Sequence, residues 1–79
     1  MSLAMQNRYQ KMIVNVLAKK MGPAADDFVR DVCRKIGTKF ENVSPLTVET
    51  FARQVERDAV VFVPAGDAVF MANVIRKLK

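Results

Sequence analysis

A small all-α bundle of four short helices is the fold class this sequence predicts, and three observations predict it. Apolar residues recur at three- and four-residue steps through most of the chain, which places them on one face of a 3.6-residue helix. Gly22-Pro23, Gly37, Ser44-Pro45 and Val63-Pro64 punctuate that periodicity at intervals of about one short helix. The chain is 79 residues long, 51% hydrophobic and 27% charged, an ordinary globular balance with material for one core. Size scaling allows a folded surface of roughly 4,800 Å² against about 12,900 Å² extended, so only about 60% is buried. One domain spans residues 1–79. Met1-Ser2-Leu3 reads as an expression-vector start, and the chain as a whole reads as a domain excised from a longer one.

The first helix is expected over residues 4–21. Tyr9, Met12, Ile13, Val16 and Leu17 share one face, while Arg8, Lys11, Asn15 and Lys19 share the opposite one. Gly22 supplies a left-handed terminating residue, and Pro23 suits the first turn of the next helix. That second helix, residues 23–36, carries the stripe Ala25, Phe28, Val29, Val32, Cys33 and Ile36. Its charges complement the helix dipole, Asp26 and Asp27 at the start and Arg34 and Lys35 at the end, before Gly37 closes it. Residues 37–46 read as a loop that tucks Phe40 and Val43 inward. Ser44 or Thr47 offers the N-cap of a third helix, whose stripe of Val48, Phe51, Ala52, Val55, Ala59 and Phe62 runs to near residue 63. A fourth helix over 65–78 follows from Phe70/Met71, Val74/Ile75 and Leu78 at helical steps. The β-branched run at 59–63, followed by Pro-Ala-Gly-Asp and a second apolar run, also has the pattern of a β-hairpin. An α+β fold of three helices and a hairpin at 59–72 is therefore the rival.

Missing residue types limit the chemistry. There is no His, which removes imidazole bases and imidazole metal ligands. One cysteine, Cys33, leaves neither an intramolecular disulfide nor a cysteine-based zinc site. A non-enzymatic domain without cofactor or metal is expected, in a reducing compartment, most simply the cytoplasm. No apolar run is long enough to span a membrane. Asp27 and Asp31 lie one helical turn apart, but helix-terminus and i,i+3 or i,i+4 pairing with Arg34 or Lys35 explains them better than a divalent ion does. Cys33 lies within an apolar stripe and reads as core.

The net charge of +5 is unevenly placed. Residues 1–25 hold Arg8, Lys11, Lys19 and Lys20 and no acid; the remainder is nearly balanced. This basic face supports an alternative reading as a nucleic-acid-binding module. Against it, no aromatic residues interleave with the charges, and Asp27 and Asp31 on the second helix would repel phosphates. Helix one also carries Met5, Met12 and Met21 beside Tyr9, and methionine adapts to varied partners. So large an apolar fraction in so small a chain leaves apolar area uncovered, which predicts a homo-oligomer or a protein partner. Tyr9, Met12, Met21, Phe70 and Met71 are the candidates for that surface; each is equally eligible for the core.

The stretch Leu17-Ala-Lys-Lys-Met-Gly-Pro-Ala-Ala-Asp-Asp-Phe-Val-Arg, with Leu46 and Phe51-Ala-Arg-Gln-Val-Glu after it, resembles small helical modules at the C-terminal ends of bacterial signalling proteins. Those modules are appended to serine/threonine kinases, adenylate cyclases and roadblock-type regulators. Gly22, Pro23, Ala25 and Val29 match the module's turn and the helix after it; Phe51, Ala52, Val55 and Phe62 match its later part. The resemblance covers about residues 13–62 and leaves 63–79 outside. It implies an accessory module that assembles or regulates a signalling protein, and it carries over no catalytic residue.

Overall fold

The computed structural model describes residues 8–78. Helix α1 (Arg8–Met21) runs through a 3₁₀ turn at Gly22–Ala24 into α2 (Ala25–Lys35). A connection containing a 3₁₀ turn at Phe40–Asn42 leads to α3 (Val48–Asp58), and a further 3₁₀ turn at Ala59–Val61 leads to α4 (Ala65–Lys77). The described residues are 82% helical and include no strand, so residues 59–72 form a 3₁₀ turn and a helix and not a hairpin. The expected first turn at residues 4–7, with Met5, lies outside the described residues.

The boundaries follow local chemistry. Gly37 adopts φ 73°. Its N–H donates to Arg34 O at 3.2 Å, and Thr38 N–H donates to Cys33 O at 3.0 Å, the paired bonds of a Schellman cap. Gly22 takes φ 64° at the end of α1. A Cβ at Gly37 would meet no atom within 4 Å, so alanine there adds backbone strain alone. Gly37→Ala is expected to lower stability by ~1–2 kcal/mol, the cost of a left-handed residue with a Cβ, read as a lower urea midpoint with an unchanged slope. Thr47 stands at the N-cap of α3, but its side chain bonds backwards: Oγ1 accepts from Ser44 N–H at 3.0 Å, closing the Ser44–Thr47 turn.

Each helix turns its stripe inward. The core comprises Tyr9, Ile13 and Leu17 of α1, Ala25, Phe28, Val29, Val32 and Cys33 of α2, and Val48, Phe51, Ala52 and Val55 of α3. Ala68, Met71, Ala72 and Ile75 of α4 complete it, with Val43, Ala59 and Val63 from the connections. Met12, Val16, Met21, Ile36 and Phe40 are half-buried against it. Helices α3 and α4 form the most extensive helix pair. They run antiparallel, because Arg76 near the end of α4 reaches Glu49 at the start of α3, its Nε lying 3.1 and 3.2 Å from the two carboxylate oxygens. Lys35 and Asp58 join the C-terminal ends of α2 and α3 at 3.1 Å. Such exposed pairs set helix orientation more than they add stability.

Candidate interaction surface

The surface is built by α4 and the turn before it. Ala65, Ala68, Val69, Phe70, Met71, Ala72, Val74 and Ile75 place apolar side chains nearly all round α4. A helix buries such a circumference only when both its sides are covered. Here Ala68, Met71, Ala72 and Ile75 face the core, leaving Val69 and Phe70 outward at 41% and 61% exposure. The preceding run Val60-Val61-Phe62-Val63 has the same difficulty, since consecutive helical residues point in different directions. Val63 turns inward; Val60, Val61 and Phe62 stay 50%, 80% and 54% exposed.

Phe62 departs from its expected place in the α3 stripe. Regular helix stops at Asp58, and the tighter 3₁₀ turn at Ala59–Val61 rotates the residues after it out of the α3 register. Its ring instead meets Phe28 of α2 edge-to-face, with centroids 5.6 Å apart at 83°. Beside this pair is a recess of about 150 Å³ with Phe28, Val61 and Phe62 as its apolar lining and Asp31, Lys35, Arg57 and Asp58 at its edge. Asp31 pairs with Arg34, and Asp58 is held by both Lys35 and the Gln54 amide. Arg57 has no carboxylate within 4 Å among the described residues.

Of the residues expected at a contact surface, the structure leaves only Phe70 exposed. Tyr9 and Met71 are core residues, 8% and 1% exposed, because their helical steps align with Ile13 and Ile75. Met12 and Met21 are half-buried packing neighbours of the core. Val60, Val61, Phe62 and Val69 belong to the exposed set and were not expected there. Their sequence signal is the run of consecutive apolar residues, too wide for one helical face. Leu46, 96% exposed, stands apart from them on the connection before α3.

The basic residues lie where the periodicity puts them. Arg8, Lys11, Lys19 and Lys20 are all exposed on α1. Lys20 approaches Asp67 of α4 at 3.8 Å; the other three have no carboxylate partner among the described residues. Asp27 pairs with Arg30 at 3.3 Å and Asp31 with Arg34, within α2. No group of three His, Cys, Asp or Glu able to hold a metal ion occurs among the described residues. None of the described helices is long and apolar enough to cross a membrane.

Cys33 is buried in the core, and burial pushes its thiol up from 9.0 to about 11. The Tyr9 hydroxyl is raised for the same reason and has no hydrogen-bond partner among the described residues. A thiol whose folded pKa is raised contributes stability that is present below about 9 and lost as pH rises towards about 11. Thermal midpoints are therefore expected to fall across that window, and to fall less in Cys33→Ala. Equal slopes in the two proteins would contradict the burial of this thiol.

The described residues form a small all-α bundle of four helices, with exposed apolar side chains on α4 and on the turn before it. No protein-family model, curated protein or solved structure matches the chain.

Proposed function

We propose that this chain is a non-enzymatic protein–protein association module, one domain of a cytoplasmic bacterial signalling protein. One observation carries the association reading: Val69 and Phe70 face outward on a helix that is apolar nearly all round, next in sequence to exposed Val60, Val61 and Phe62. Large apolar side chains left exposed in this number on a small domain support an interaction surface. The chain has no His and its one thiol is buried and kept protonated, which supports a role without nucleophilic catalysis. The signalling context rests on the resemblance around Gly22-Pro23 and Phe51-Ala52. The cytoplasmic setting rests on a lone cysteine in a chain without disulfides.

A photo-crosslinking residue placed at Val69, and separately at Val61, tests the association reading in cells that express the chain. Discrete adducts are expected from both positions and none from Arg30, which is exposed on α2. Absence of adducts from both Val61 and Val69 would sink the reading. A second reading, binding of nucleic acid, is favoured by Arg8, Lys11 and Lys19 being exposed without acidic partners. It requires duplex binding that weakens steeply with salt and is lost in Lys11→Glu/Lys19→Glu. A flat anisotropy titration at low salt eliminates it.

A further inference from the structure

We infer that the partner at this surface is a second copy of the same chain. This rests on the association reading above and names its occupant. Three observations carry it. The first is area: with ~150–200 Å² available per valine or phenylalanine, the exposed fractions of Val60, Val61, Phe62, Val69 and Phe70 sum to roughly 500 Å². That total is more than half of the ~800 Å² each subunit gives to a standard interface. The second is shape. The surface carries both a projecting ring, Phe70, and a recess of about 150 Å³ walled by Phe28 and Phe62, a volume that holds one benzene-sized ring. A two-fold contact presents the same exposed rings and the same recess from both copies and closes the assembly at a dimer.

The third observation is charge. Charges of both signs edge the recess, Asp31 and Asp58 beside Lys35 and Arg57, and three opposite pairs lie around it: Lys35 with Asp58, Arg34 with Asp31, and Lys20 with Asp67 at the first turn of α4. A strongly acidic or strongly basic partner meets like charge at half of these positions. An alternating rim is instead complementary to its own rotated image. The chain's basic excess resides largely on α1, in Arg8, Lys11 and Lys19, and not in these rim pairs.

Sedimentation equilibrium of the purified chain, from about 1 µM to about 1 mM, tests this directly. The molar mass is expected to rise with concentration from 8.9 kDa to a plateau at twice that value. Phe70→Asp and Val61→Asp, both at exposed positions where folding is retained, are expected to raise the dissociation constant at least ~30-fold each. Lys11→Ala is expected to leave it unchanged, and circular dichroism verifies that each variant is folded. A wild-type chain that stays monomeric throughout overturns the inference, as does a dimer weakened by neither substitution. If the chain is monomeric while crosslinks from Val69 join it to a different protein, the second-copy inference fails and the association reading stands. If the chain is monomeric and neither patch position crosslinks, both fail.

Discussion

Phe51→Ala is expected to remove ~3–5 kcal/mol of folding stability, the largest effect of any single truncation argued for this chain. Phe51 is completely buried on α3, the helix that makes the most extensive pairing in the bundle, with α4. Its ring stacks on Phe40, with centroids 5.9 Å apart and planes at 28°, so it also anchors the connection between α2 and α3. Truncation leaves a cavity that the surrounding side chains fill only partly. A domain of this length holds ~4–12 kcal/mol in total, so the variant sits near its unfolding threshold. Circular dichroism melts are expected to show a broad or absent transition for Phe51→Ala. Phe70→Ala, at an exposed position, is expected to stay within ~0.5 kcal/mol of wild type in the monomer. If the two phenylalanines cost the same, the division between core and surface described above is wrong.

The second large effect is expected at Gln10, among the described residues the one non-aromatic polar side chain buried in the core. It is 1% exposed, and its Nε2 donates to Val43 O at 2.7 Å and approaches Glu41 O at 3.5 Å. The bond ties the first turn of α1 to the connection between α2 and α3, 33 residues away. Gln10→Leu keeps the approximate shape and hydrophobicity of a core residue but deprives a buried carbonyl of its donor. The expected cost is ~1–3 kcal/mol, set by desolvation of the orphaned carbonyl and not by lost packing. Amide exchange distinguishes this from a general loss of stability. Protection is expected to drop at Val43 and Thr47, whose N–H groups donate to Phe40 O and Ser44 O, more than in the middle of α3. A variant as stable as wild type would show that the bond has no net role.

Most of the helical framework was legible from residue spacing. The stripes of α2 and α3 are narrow and unambiguous, with Asp26, Asp27, Arg34 and Lys35 at matching ends of α2, and their buried faces are those the spacing predicts, Phe62 and half-buried Ile36 apart. The candidate surface was legible only in outline. Helix α4 has no polar face wide enough to say which apolar residues point inward, so Phe70 and Met71 were indistinguishable in sequence though one is exposed and the other buried. Tyr9 was equally ambiguous: its amphipathic ring suits a contact surface, yet it heads the row that continues through Ile13 and Leu17. The hairpin rival arose because β-branched runs of four or five residues carry no period by themselves.

By itself the sequence determined a single small core, the punctuation at Gly22, Gly37 and Pro64, and the buried stripes of α2 and α3. These are local consequences of backbone freedom, capping and helical repeat. Tertiary structure alone decided that Gln10 is buried, that the 3₁₀ turn at Ala59–Val61 swings Phe62 out to meet Phe28, and that α4 leaves Val69 and Phe70 uncovered. The reason is geometric. A helix with apolar residues on every side can satisfy only the face that its neighbours reach, and three helices cannot encircle a fourth in a chain of 79 residues.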